Sequence, residues 1–367
     1  MGGYLRDFIA LGSRPRDLDF VAKGDLGKIS RDVALSLGGR VVELKKERML
    51  RVCLEGGVNI DLSPLAGNLS EDLSARDFTV NAMAWSPRTG LVDPHGGIAD
   101  ISRGLIRFVK RDNLRQDPLR LLRAYRFAAQ MGWAIGPTTR EAIKSLSSFI
   151  KEPAPERITL ELFQLLNASA PGRALNHALR DGVLAGIISL TYSKLEKNVK
   201  SLSKIDENLE KLPQRFFSRA MPQGLSYRGL VRLEGLLQGS GLGRSRLRLS
   251  REITERVVLA QALLKRFQGI QRLNMGEVFE LFSEAGDATP DLLALSGKMD
   301  RLGDALKFQR IHSRGLLNAT EIMHETGLLP GPAVGRLLRE SRKLQFEGRL
   351  RNSEQARRWL RRSAQII

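Results

Sequence analysis

Two acids alternate along an apolar run, Arg16-Asp17-Leu18-Asp19-Phe20-Val21-Ala22, and a glycine pair precedes them in Gly2-Gly3-Tyr4-Leu5-Arg6-Asp7. On a strand successive side chains alternate faces, so Asp17 and Asp19 share one face while Leu18 and Phe20 turn toward a core. Neighbouring carboxylates repel unless a cation sits between them, and hard divalent ions prefer such oxygens. The glycines allow close backbone approach to a phosphate, just ahead of an expected helix N-terminus. A third acid, Asp61, lies in a second alternating run, Asn59-Ile60-Asp61-Leu62. If the two strands are neighbours, three carboxylates meet and could hold two ions about 4 Å apart. That equipment suits phosphoryl or nucleotidyl transfer. Either half alone reads as structure, since a Gly-Gly pair is usually a turn and Asp-x-Asp often a solvated strand face.

The next run is Arg76-Asp77-Phe78-Thr79-Val80-Asn81-Ala82-Met83-Ala84. Arg76 is a candidate phosphate clamp, and Asp77 with Asn81 can hydrogen-bond a ribose hydroxyl. Asp77 and Thr79 are equally suited to capping a turn. Asp93-Pro94-His95-Gly96-Gly97 is a turn by composition, with His95 a surface or capping residue.

These groups must be positioned by a chain of 367 residues, long enough for several domains. A formal net charge of +19 favours a polyanionic partner, nucleic acid above all. Cys53 is the only cysteine, which excludes internal disulfides and thiolate metal clusters. No apolar run approaches membrane-spanning length and no signal-peptide layout opens the chain, so a cytoplasmic location is the default.

Short β-rich runs are expected at residues 17–21, 41–44, 50–54, 58–62 and 82–85. From Gln116 onward the texture is helical. Leu119, Leu122, Tyr125, Arg126 and Ala129 have the spacing of an amphipathic helix starting near Pro118. Further helices are expected at 138–150, 156–166 and 173–185, with breaks at 238–243 and 327–332. From Arg301 to the end, fourteen Lys/Arg stand against six Asp/Glu, and Arg357, Arg358, Arg361 and Arg362 crowd one segment. Such a run is often a solvated helix face, but the global excess favours an RNA-backbone surface.

The order of these motifs, continued by Gln116-Asp117-Pro118-Leu119-Arg120-Leu121-Leu122-Arg123-Ala124-Tyr125-Arg126-Phe127-Ala128 and Glu156-Arg157-Ile158, resembles the class II tRNA nucleotidyltransferases. These are the CCA-adding enzymes, with the closely related bacterial poly(A) polymerases. The resemblance is dense to about Leu166 and returns at 327–335. It implies an α+β chain with a polymerase-β-type head, a small mixed sheet with helices, followed by all-helical neck, body and tail. The corresponding segments are 1–109, 110–168, 169–250 and a basic, tRNA-binding 251–367.

The resemblance further implies that Asp17 and Asp19, joined by Asp61, bind Mg²⁺ and that Gly2 and Gly3 grip the triphosphate. Arg6, Arg76, Asp77, Asn81, Arg123 and Arg126 fall to nucleotide contacts. Asp117 and Arg120 map to the pair that reads the incoming base. That last role has its own physics. Residues three apart on a helix share a face, and here one is a pure acceptor and the other a pure donor. Cytosine and adenine both show an amino donor beside a ring-nitrogen acceptor, while uracil and guanine reverse that order. Mismatched buried groups would cost roughly 1–3 kcal/mol per unmet partner. The plain alternative is an exposed ion pair at a helix start.

Three departures from the family pattern carry their own expectations. The family has a strand before the Gly-Gly turn, whereas Met1 directly precedes Gly2, which implies a fragment or a shifted start. Gln116 replaces the first neck acid, leaving an amide to hold Arg120 by hydrogen bond. The segment between Asp61 and Glu71 is short, which points to an enzyme adding only CC or only A. The expected activity is template-independent addition of C and A to tRNA 3′ ends from CTP and ATP, releasing pyrophosphate. The rivals are a poly(A) polymerase, against which residues 41–54 speak, and a non-catalytic RNA-binding relative.

Overall fold

The computed structural model describes every residue except 14, 46–48, 66 and 365–367. The chain forms two compact units, Met1–Glu196 with Ser240–Arg248, and Lys197–Gly239 with Leu249–Ile367. The segments 1–109 and 110–168 both fall in the first unit, and 169–250 is divided between the two.

The first unit opens with α1 (Gly3–Leu11), β1 (Asp17–Ala22), α2 (Leu26–Leu37), β2 (Arg40–Lys45), β3 (Met49–Cys53) and β4 (Asn59–Pro64). The strands make one mixed sheet in the order β1-β4-β3-β2, with β1 parallel to β4 and the other pairs antiparallel. Register aligns Asp17 with Asn59 and Asp19 with Asp61. The alternation of these strands sends Val52, Ile60 and Leu62, with Leu18 and Leu54, against Ile29, Val33 and Ala34 of α2. Asp25 caps that helix by accepting from the Lys28 amide. Phe20, expected in this core, is 48% exposed. It stands on the edge strand, outside the cluster α2 covers, and lines an apolar cavity of about 380 Å³ with Tyr4, Leu65 and Trp85.

A connecting layer follows: α3 (Leu69–Ser74), the hairpin of β5 (Ala84–Ser86) and β6 (Gly90–Val92), α4 (Gly97–Arg103), β7 (Leu105–Ile106) and α5 (Arg111–Gln116). Then come α6 (Leu119–Met131), β8 (Ala134–Ile135), α7 (Pro137–Leu146), α8 (Pro155–Leu166), α9 (Gly172–Arg180) and α10 (Val183–Ile187). The α6 stripe of Leu119, Leu122, Tyr125 and Ala129 is buried, as its spacing requires, and the helix packs against α8 and α9. Residues 173–185 are not one helix. Gly182 takes a φ of 83°, which separates α9 from α10.

α11 (Tyr192–Leu209) begins in the first unit and continues in the second. The second unit adds α12 (Tyr227–Leu236), α13 (Arg251–Gln268), α14 (Met275–Ala285), α15 (Thr289–Ser296), α16 (Leu302–Ser313), α17 (Ala319–Thr326), α18 (Pro332–Phe346) and α19 (Ser353–Ala364). Phe267, Phe279, Phe282, Phe308 and Phe346 interlock in its core. Arg256 lies between two fully buried acids, Glu234 at 3.7 Å and Asp291, and the Tyr227 hydroxyl donates to Asp291. On the basic C-terminal helix, Arg357 and Arg361 pair with Glu321 and Glu325 of α17. Among the described residues no helix is long and apolar enough to cross a membrane.

Candidate active site

Gly2 is the N-cap of α1, at φ 61° and ψ −128°, a conformation that side chains with a Cβ avoid. A Cβ there would stand 3.4 Å from Arg76 Nη1 and 3.6 Å from the Asn81 carbonyl oxygen. No side chain caps α1, so its first-turn amides are left for another acceptor. These residues form one wall of a polar cleft of about 820 Å³.

The cleft gathers Gly2, Gly3, Arg6, Asp17, Asp19, Arg76, Asp77, Asn81, Asp117, Arg120, Arg123 and Arg126, residues far apart in the sequence. Asp61 is not among its lining residues. Its register partner is Asp19, so it stands on the same sheet face, but Arg51 on β3 takes both its oxygens at 2.7 Å each. Asp17 accepts from the Asn59 side chain at 2.9 Å. Among the described residues no group of three His, Cys, Asp or Glu side chains is close enough to hold a metal ion. The three acids therefore share a face without closing a three-carboxylate cage. Burial pushes the Asp19 carboxyl above its ordinary value, and the charges of Asp61 and Asp17 add to it, against the pull of the terminal amine and Arg76.

Asp77 is buried at the centre of a charged network. Its carboxylate accepts from the Phe78 amide at 2.8 Å, from Asn81 at 3.0 Å and from Arg123 at 2.9 Å. Burial alone would raise its pKa. Arg123 and these hydrogen bonds outweigh burial and hold the group below its ordinary value. Arg6 donates to the Asn81 side-chain oxygen at 2.8 Å. On the far side Glu161 of α8 pairs with Arg126 at 2.6 Å and stands 3.9 Å from Arg123. The ring of Phe127 lies beneath Arg6, Arg126 and Arg123, whose guanidinium carbons are 4.7, 4.2 and 5.3 Å from its centroid.

Asp117 and Arg120 both face the cleft, but not from one helix. Asp117 is the C-cap of α5 at φ −132°, and Pro118 stands between it and α6. The Arg120 amide donates to the Asp117 carbonyl at 3.0 Å, so a turn rather than a shared helical face brings them together. The Asp117 carboxylate is held by Arg157 at 2.9 Å. Arg120 donates to the Asn113 carbonyl at 3.2 Å, in the place expected for the Gln116 side chain, which is exposed. Arg76 is paired with Asp72, one turn earlier, at 2.9 Å.

Sequence reasoning left Arg51, Phe127, Arg157 and Glu161 without roles. Arg157 and Glu161 are four apart, and a glutamate within the apolar stripe of α8 was the available signal. Arg51 carried none, because only the antiparallel register of β3 with β4 brings it to Asp61.

Residues 31–107 match the family described as poly A polymerase head domain, and residues 132–195 match the probable RNA and SrmB-binding site of polymerase A. A CC-adding tRNA nucleotidyltransferase of Geobacter sulfurreducens is 31% identical, with the match covering 98% of this chain and 90% of the relative. The chain belongs to the tRNA nucleotidyltransferase family. An A-adding member from Deinococcus radiodurans is 29% identical across 100% of this chain and 95% of its own. The fold is that of the Thermotoga maritima CCA-adding enzyme complexed with tRNA, with a TM-score of 0.76 at 21% identity over 99% of this chain and 90% of that one. The mixed sheet bears Asp17 and Asp19, Asp117 caps the end of α5 and Arg120 stands in the first turn of α6.

Proposed function

We propose that this tRNA nucleotidyltransferase adds cytidylate and adenylate to the 3′ end of tRNA from CTP and ATP, releasing pyrophosphate. One observation carries the reading: a single cleft collects the Asp17–Asp19 strand face, the uncapped start of α1 and the guanidinium groups of Arg76, Arg120, Arg123 and Arg126. The strand face suits a hard cation and the rest suits a triphosphate.

Asp17 and Asp19 are the residues that would hold Mg²⁺. The donor set fits, because two carboxylates share a strand face in a polar cleft and crowd each other's charge. Bound there, the ion supplies Lewis-acid activation of a hydroxyl and neutralises phosphate charge. Asp61 supports this face through Arg51 rather than as a ligand. The α1 amides and Arg76 orient the triphosphate for in-line attack at the α-phosphate by the terminal ribose hydroxyl. Asp77 and Asn81, locked by Arg123 and Arg6, present a fixed edge for a ribose hydroxyl. Arg120 as donor and Asp117 as acceptor complement the pairing edges of C and A.

The test is incubation of purified protein with Mg²⁺, each labelled nucleotide, and tRNA transcripts ending before CCA, after CC, or complete. Incorporation of C, C and A in order, of CC alone, or of A alone supports the reading and assigns its scope. Unlimited A on unrelated RNA would reassign the chain as a poly(A) polymerase. Binding without incorporation would leave only an RNA-binding relative.

A further inference from the structure

At the C-terminal end of α6 lies a second cleft, of about 590 Å³, lined by Gln130, Trp133, Arg140, Ser169, Arg173 and His177 among others. It shares no lining residue with the nucleotide cleft. One helix serves both, because Arg120, Arg123 and Arg126 face the first while residues 128–131 line the second. The helical rise separates Arg123 from Met131 by about 12 Å.

The charge of this cleft is one-sided. Arg140 is spent on Asp181, in a two-point pair at 2.7 and 3.1 Å, and the Tyr125 hydroxyl donates to the same carboxylate at 2.8 Å. Arg173 is exposed and has no carboxylate partner among the described residues. Burial, and then Arg140, Arg173 and Arg180 nearby, hold His177 below its ordinary pKa. Asp181 is thus taken by Arg140, and the cationic charge of Arg140, Arg173 and Arg180 bears on His177. Trp133 supplies the apolar component. A Cβ on Gly104 would stand 3.2 Å from its indole, so the main chain there sets the ring's place.

We infer that this cleft is a second RNA subsite, in which one unpaired base of the tRNA stacks on Trp133 and the adjoining phosphate is held by Arg173. The inference rests on the proposed function and deepens it. An aromatic ring and an unspent guanidinium lining one cleft are what single-stranded nucleic acid requires, and the net positive lining disfavours a protein partner unless it is acidic. All four key residues, Trp133, Arg140, Arg173 and His177, lie within the 132–195 stretch.

The experiment measures binding of labelled tRNA by fluorescence anisotropy over a range of KCl concentrations, with CTP binding followed by calorimetry. Arg173→Ala should weaken tRNA binding several-fold and reduce the salt slope by about one. Trp133→Ala should weaken it about 5-fold or more with the slope retained, and Trp133→Phe should restore most of the loss. CTP should bind all variants at one site with wild-type affinity. Unchanged tRNA binding in Arg173→Ala, an exposed substitution that the fold tolerates, overturns the inference. So does a second CTP site lost in the variants, which would make the cleft one for free nucleotide. Wild-type tRNA binding and nucleotide addition without these variant effects sink this subsite alone, whereas absence of wild-type tRNA binding overturns the proposed function with it.

Discussion

Asp19 and Asp61 are register partners on parallel strands, yet Arg51 occupies both oxygens of Asp61 and leaves Asp19 facing the cleft. The two acids should therefore separate on substitution. Asp17→Ala or Asp19→Asn should abolish nucleotide incorporation with tRNA affinity retained. Asp61→Asn should leave measurable incorporation and instead lower the unfolding midpoint, since a half-buried Arg51 loses its charged partner at a cost of about 1–3 kcal/mol. Equal loss of incorporation in all three variants would restore Asp61 as a ligand.

Gly2→Ala forces a Cβ into a backbone conformation that costs about 1–3 kcal/mol, and pushes it toward Arg76. The expected result is a raised KM for CTP and ATP in steady-state incorporation, with tRNA affinity unchanged. A KM equal to wild type would show that the turn does not shape the triphosphate site.

Asp77 depends on Arg123. Because the folded state holds its carboxyl below 3.8, its contribution to stability is present above that pH and is lost as pH falls through the lower folded value. Arg123→Met removes the compensating cation and leaves only the Asn81 and Phe78 hydrogen bonds to oppose burial. The variant should lose about 3–5 kcal/mol of stability and begin acid unfolding at a higher pH than wild type, as followed by circular dichroism.

The second unit should show the opposite trend. Arg256 cannot neutralise both Glu234 and Asp291, and burial pushes Glu234 up to about 8. The folded state keeps this proton while the unfolded state releases it above 4.5, so stability falls as pH rises from 4.5 toward 8 and levels off beyond. Glu234→Gln should flatten that slope, measured as the urea midpoint at pH 5.5 and pH 8. A slope unchanged from wild type would mean that Glu234 is ionised in the folded protein.

The strands were legible because period-two alternation survives folding: runs at 17–21, 41–44, 50–54 and 58–62 became β1 to β4. The cleft-lining residues were legible because each sits in a local motif whose residue types suit a phosphate, a sugar or a base. What escaped was relational. Asp61 reads as a ligand until the register of β3 brings Arg51 beside it. Asp117 and Arg120 read as helical neighbours until Pro118 breaks the helix between them. Phe20 shows the same limit, since alternation gives a face but not whether a helix covers it.

The chain passes between its two units three times, after Glu196, after Gly239 and after Arg248. The short return, Ser240–Arg248, is sewn into the first unit by the Arg246 amide on the Ile187 carbonyl and the Arg248 amide on the Thr159 hydroxyl. Cutting after Glu196 would strip those stitches from the first unit, and cutting after Arg248 would keep them but leave residues 197–239 of the second unit attached. Residues 197–239 behave topologically as an insertion, and excising them with a bridging linker, together with ending the chain after Arg248, is the route to an isolated first unit.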